Sequence, residues 1–175
     1  MHFKYDTKRE RFMGGVIGVL FLVILAVISY TDVRRRQIPN WCCMCIAALV
    51  VISDAVFFCA EIFDFEICQK LAFSEIFAVG LTEQVLGALC VSVPMLGITV
   101  LAPGSFGGGD VKFMCAAGAL LGWRHILWSA AAGIFSAGVY VLYLLIIKNT
   151  GRKAEFPLGP FLCLGIAVNI LTEIY

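Results

Sequence analysis

VKFMCAAGALLGWRHILWSAAAGIFSAGVYVLYLLII, residues 111–147, is nearly free of charge, and the way it divides decides the fold. The part after His125, Ile126–Ile147, is long enough to cross a bilayer core of about 30 Å. The part before Arg124, Val111–Trp123, reaches only about 20 Å at 1.5 Å per residue. A crossing that short has to start below the membrane surface, where protein or a water-filled cavity can satisfy irregular backbone. Working outward, a glycine-rich turn, Pro103–Asp110, precedes it, and before that lies the apolar run Gln84–Ala102. Two further runs stand nearer the N-terminus: Met13–Thr31, ended by Asp32, and Asn40–Ala60, interrupted only by Asp54. On the other side, the polar stretch Lys148–Glu155 leads into Phe156–Ile174, opened by Pro157 and Pro160 as helix starts allow. Glu61–Glu83 mixes acids with Phe63, Phe65, Phe73 and Phe77, a composition that suits a loop or an interfacial helix. The expected fold is therefore an all-α polytopic membrane protein of about six transmembrane helices, with a short helix following the glycine-rich loop. Residues 1–175 read as one transmembrane domain, 1–12 as its tail, with no repeat and no separate soluble domain.

Composition supports lipid as the main solvent. Of 175 residues, 61% are hydrophobic and 14% charged, against about 45–50% and about 25% in soluble domains. A chain this small cannot hide so much apolar surface from water. The net charge of +1 supplies no field for polyanions, so nucleic acid is not an expected partner, while membrane lipid is. The N-terminal basic start and apolar stretch lack an A-x-A cleavage site and read as a retained first helix. Seven of the eight cysteines lie in apolar runs, and Cys42 and Cys45 form the one C-x-x-C. They read as small helix residues rather than a disulfide framework or a four-ligand zinc site, and no metal is expected.

Three motifs stand between the crossings: Asp32-Val-Arg-Arg-Arg-Gln-Ile-Pro-Asn40, Gly107-Gly-Gly-Asp110-Val-Lys112 and Phe156-Pro-Leu-Gly-Pro160. Two crossings separate each from the next, so all three share one side, and Asp32 meets the same face as Asp110. Cations are nearly balanced, seven on the motif side and six on the other, so the positive-inside rule says little. The acidic Glu61–Glu83 stretch falls on the opposite side, a mild sign that the motif face is cytoplasmic.

Carboxylates near a bilayer are expensive and point to function. Two that converge cannot both ionise cheaply, so one holds a proton while the other is charged. Such a pair can activate water against a peptide carbonyl and protonate the leaving amine, with no serine or metal. Gly107, Gly108 and Gly109 have no Cβ, so an extended peptide could lie against that backbone and pair with its N–H groups. Asp110 would open the next helix, where the dipole favours its charged form. Each feature also has a plainer use. Asp32 could simply end a helix, Asp110 could be an N-cap, and the glycines could be a flexible turn. Arg34–Arg36 read as topology anchors or headgroup contacts, Lys112 as a snorkelling residue, and Asp54 as a structural polar contact or a side chain snorkelling outward. His2 and His125 fall on the wrong side to act with the aspartates.

Taken together, these motifs resemble the type IV prepilin peptidases, a membrane aspartyl protease family with a GxGD motif. An Asp followed six residues on by Ile-Pro-Asn is present as Asp32 and Ile38-Pro39-Asn40. Gly-x-Gly-Asp-x-Lys is present as Gly107, Gly109, Asp110 and Lys112. Gly118-Ala-Leu-Leu-Gly122 and Pro157-Leu-Gly-Pro160 fit the same pattern, and the likeness runs from Met13 to the C-terminus. The resemblance implies an aspartic endopeptidase of the inner (cytoplasmic) membrane. It would cleave short basic leaders, typically ending in glycine, from type IV prepilins or pilin-like proteins at the cytoplasmic face. Asp32 and Asp110 map onto the catalytic pair, and Gly107, Gly108, Gly109, Lys112, Ile38, Pro39 and Asn40 onto substrate-binding or loop-shaping positions. The cytoplasmic domain that carries two C-x-x-C pairs in methylating members has no counterpart between Asp32 and Trp41. The chain therefore resembles the short, peptidase-only form, and no methyl-donor cofactor is expected. Presenilin-like and signal-peptide-peptidase-like proteases share Gly-x-Gly-Asp, but pair it with Tyr-Asp and Pro-Ala-Leu, whereas here Thr31 separates Tyr30 from Asp32. A non-enzymatic transporter or assembly subunit, using the acids for ion coupling, would be favoured by inverted repeats, and none is seen.

Overall fold

The computed structural model describes residues 7–35, 38–63, 79–102, 105–147 and 158–174. These are helical throughout apart from short connections: α1 (Thr7–Arg35), α2 (Asn40–Phe63), α3 (Leu81–Leu101), α4 (Gly108–Ile147) and α5 (Gly159–Ile174). Among the described residues there are five helices. The expected break at Arg124-His125 is absent, and residues 111–147 belong to one long element. That element is nonetheless divided, at Gly122, where φ 76 and ψ 169 leave the helical region. Such a backbone is open essentially to glycine alone, which is why the break falls there and not at the charged pair two residues on.

The two arms of α4 pack against different neighbours. The first lies against α3, where a Cβ at Gly87 would collide with the carbonyl of Gly118. The second lies against α5: His125 meets Asn169 at 3.3 Å, Gly133 meets Phe161 and Leu162, and the rings of Tyr140 and Phe161 are 5.2 Å apart. Each arm runs antiparallel to its neighbour, and Gly122 turns the chain back on itself. Small residues at the crossings let the backbones approach closely, as lipid-solvated helices require when no hydrophobic force drives them together. α1 packs on α5 and α2, and α2 also on α4.

Polar side chains behave as an apolar solvent demands. The hydroxyls of Thr31, Ser53, Thr99, Ser129 and Ser136 donate to carbonyls three or four residues back on their own helices, at 2.7–2.8 Å. Gln84 Nε2 donates to Asp54 Oδ1 at 2.6 Å and to the Val79 carbonyl at 3.0 Å, joining α2 to α3. Asp54 is thus the structural polar contact that its surroundings suggested. Cys42, Cys43, Cys45, Cys90, Cys115 and Cys163 are free thiols, with Cys42 and Cys163 in the core.

Large apolar side chains cover the outside, Trp128 74%, Phe135 76% and Leu101 87% exposed among them. Water would not tolerate so continuous an apolar surface, and this is a membrane protein. By length and composition α3 and α4 can cross a bilayer, and α2 and α5 hold shorter apolar stretches, Asn40–Ala55 and Gly159–Thr172. The interfacial helix considered for Glu61–Glu83 falls mostly outside the described residues, as do Pro157 and the Lys148–Glu155 loop.

Candidate active site

Three buried stripes end at the same place. On α1, Phe21, Leu25 and Ile28 face inward, and Asp32 is the next position in that phase, 6% exposed. On α4, Phe113, Met114, Ala117 and Leu121 face inward, and Asp110 stands one turn before them. On α5, Leu162, Cys163, Ile166 and Ile170 face inward, and Gly159 stands one turn ahead. Helical periodicity therefore turns all three toward the core at one end of the bundle.

Asp32 sits inside the last turn of α1, which runs on to Arg35, so it does not end the helix as its place after Thr31 suggested. The terminal Arg34 and Arg35 suit the negative end of the helix dipole, and the Arg34 guanidinium lies 5.5 Å from the Tyr30 ring centroid. Asp32 Oδ2 accepts a hydrogen bond from the Gly159 N–H at 3.0 Å. Just past the apolar run, its carboxyl is pushed above the usual range by burial, and the Gly159 N–H pulls partly the other way. Cys163, one turn into α5 from Gly159, is buried beneath it.

Asp110 lies in the first turn of α4, not before it. Gly108 and Gly109 are already helical, so the glycine run is less of a loop than its composition suggests, and only Gly107 stays outside. The Asp110 N–H donates to the Gly107 carbonyl at 3.0 Å. Gly108 and Gly109 are among the first residues of the helix, whose N–H groups have no intrahelical acceptor. Nothing lies within 4 Å of where a Cβ at Gly108 would be, so this backbone is open to a neighbour.

The Ile-Pro-Asn segment packs directly on the glycine segment. Ile38 is buried, and a Cβ at Gly109 would sit 3.0 Å from its Cβ. The Pro39 carbonyl accepts from the Cys42 N–H at 3.0 Å and starts α2. Lys112 Nζ donates to Asn40 Oδ1 at 3.4 Å, so the exposed lysine bridges the two segments instead of only reaching for the surface.

Every residue singled out from the sequence, Asp32, Ile38, Pro39, Asn40, Gly107, Gly108, Gly109, Asp110 and Lys112, thus gathers at one end. His125 and Asp54 lie at the other. Gly159, inside the Pro157-Leu-Gly-Pro160 motif, joins the first group with a contact that the motif does not announce, its N–H on Asp32. Its signal was there in the phase of α5, one turn ahead of Leu162 and Cys163. The arrangement offers two carboxylates at one end of the bundle, one anchored by a backbone donor, beside the open backbone at Gly108.

A family model described as the type IV leader peptidase family matches residues 19–142, well over half of the chain and inclusive of both aspartates. Comparisons with curated proteins and with solved structures gave no match.

Proposed function

The chain belongs to the type IV leader peptidase family, and from that premise we propose that it is a multi-pass aspartyl endopeptidase cutting leaders from prepilin-like proteins. Family membership makes it a membrane protease; the aspartic mechanism, the substrate and the orientation are our reading. The observation that carries the reading is the placement of Asp32 and Asp110 on separate helices at one end of the bundle, with Asp32 Oδ2 anchored by the Gly159 N–H.

Two carboxylates so placed share one proton. The charged one takes a proton from water as the water oxygen adds to the scissile carbonyl carbon. The protonated one gives its proton to the carbonyl oxygen. In the resulting gem-diol the C–N bond breaks as the first carboxyl returns its proton to the leaving nitrogen. The second carboxylate recovers a proton from a diol hydroxyl. The products are an acid and an amine, and the pair ends with the single proton it began with. An extended substrate strand lies along Gly108, where nothing stands within 4 Å of an added Cβ, and its carbonyls pair with the free N–H groups at this helix start. Lys112 and Asn40 hold this segment against the start of α2.

Six crossings follow if α1, α2, α3, α5 and both arms of α4 traverse the bilayer. The antiparallel arms support that count, which puts Asp32 and Asp110 on one side of the membrane; the acidic Glu61–Glu83 stretch on the other side and the family's habit support the cytoplasm as that side. Cysteines introduced near Gln37 and Asn149 should then label from the same side; labelling from opposite sides would refute the topology.

The test of function is cleavage by the purified protein in liposomes of a synthetic pilin-like peptide with a short basic leader ending in glycine. The expected products, read by mass spectrometry, are the intact leader and a mature chain with one new N-terminus, with no dependence on added metal or methyl donor. An intact peptide under conditions where the protein is folded would defeat the reading.

A further inference from the structure

Gly159 lies beyond the stretch matched by the family model and is the first residue of α5. Its N–H reaches Asp32 Oδ2 at 3.0 Å across 127 residues of chain. A Cβ at this position would stand 2.6 Å from Oδ2 and 3.0 Å from Cγ, so the backbone comes this near only because the side chain is missing. Asp32 is buried, and its Oδ1 makes no hydrogen bond among the described residues. The N-terminal end of the 16-residue α5, where peptide dipoles leave partial positive charge, is therefore applied to one oxygen of the carboxylate, and the other is left free.

We infer that Gly159 is a positioning residue of the active site: its N–H pins one carboxylate oxygen of Asp32 and its missing side chain leaves room for it, so that the other oxygen is held ready for water opposite Asp110. The inference rests on the reading of Asp32 as catalytic. It differs from the roles of Gly133 and Gly165, where an added Cβ would meet the backbone of a neighbouring helix and no carboxylate.

Two changes at position 159 separate bulk from hydrogen bonding. Gly159→Ala keeps the N–H and adds the Cβ. Replacing the residue by glycolic acid with a suppressor tRNA turns the amide into an ester and removes the donor while adding no bulk. Gly138→Ala, with nothing within 4 Å of its Cβ, is the control. The alanine variant should lose about 100-fold in kcat with little change in KM, as expected when a reacting group is misplaced. The ester should lose about 10-fold, the worth of a hydrogen bond to a charged group. An N–H donor favours the charged carboxylate, so its loss should also move the acid limb of the kcat profile to higher pH. Asp110 on α4 and Cys163 on α5 are further titratable groups at this end of the bundle, and every variant keeps both.

The carboxylate stretch of Asp32, from 13C-labelled aspartate and identified by its loss in Asp32→Asn, should shift in the ester variant without substrate. Unchanged kcat, acid limb and carboxylate band in the ester would overturn the inference, and because the ester adds no bulk it decides the matter should the alanine variant fail to accumulate. A wild type that cleaves no leader, yet shows the band shift, would overturn the proteolytic reading and leave the contact standing.

Discussion

The two ends of the helix bundle each place an aspartate among apolar helices, and they treat it differently. At one end Asp54 of α2 accepts a hydrogen bond from the Gln84 amide of α3, and the same amide also donates to the Val79 carbonyl. The partner is neutral, the link is closed, and the two helices are fastened. At the other end Asp32 of α1 accepts a single backbone N–H, and a second carboxyl, Asp110, stands at the same end of the bundle. Buried polar groups cost least when satisfied, so the first arrangement is what packing alone would choose. The second costs stability and is retained where chemistry uses the frustration.

The comparison breaks most sharply on substitution of the acids. Asp32→Asn or Asp110→Asn should cut leader cleavage by about 1,000-fold or more, while Asp54→Asn should stay within about twofold, because only a reacting group is indispensable to the transition state. Equal abundance in membranes, checked by immunoblot, shows that the loss is chemical. Comparable losses at all three sites would erase the distinction between the ends.

The pH dependence sharpens it. Above the pair's upper apparent pKa both carboxylates are charged and no proton is left for the carbonyl oxygen. Below the lower one both are protonated and neither can take a proton from water. The profile of kcat should therefore be bell-shaped, with limbs belonging to the pair and not to either residue. Asp54→Asn should leave both limbs in place. A flat profile from pH 4 to pH 9 would contradict proton sharing.

Gly122 should affect abundance, not chemistry. A side chain at φ 76 costs about 1–3 kcal/mol, and an added Cβ would also press on Val79 at 3.1 Å. Gly122→Ala should lower accumulation and melting temperature, with kcat of the surviving protein nearly unchanged. The smallest effect is expected at Lys112, whose 3.4 Å contact with Asn40 is exposed. Lys112→Ala should raise KM by about two- to threefold, since exposed polar links contribute little, and a loss of kcat as large as that of Asp110→Asn would make it part of the reacting set.

Much of this was legible in the sequence because lipid leaves few choices: apolar runs bounded by Asp32, Asn40 and the Pro103–Asp110 turn had to become helices. The shared side of Asp32 and Asp110 follows from counting those runs. The position of the break in α4 was not legible from charge. Arg124 and His125 looked like a boundary, yet a helix end can carry both, while only glycine accepts the backbone found at 122. The glycine run misled in the other direction, since Gly108 and Gly109 join the helix once Gly107 accepts the Asp110 N–H. The Pro157-Leu-Gly-Pro160 motif marks a helix entrance but not the partner of Gly159; the phase of Leu162, Cys163 and Ile166 places that glycine inward.

The central claim is that Asp32 and Asp110 act as one unit, and a double-substitution cycle tests it most directly. Single-turnover cleavage of the leader peptide would be measured for wild type, Asp32→Asn, Asp110→Asn and the double variant, each purified and matched for folded protein. Residues that share one proton are both lost when either is lost, so the double variant should be within about threefold of the worse single one. Losses that multiply in the double variant, or a single variant cleaving near the wild-type rate, would contradict the account.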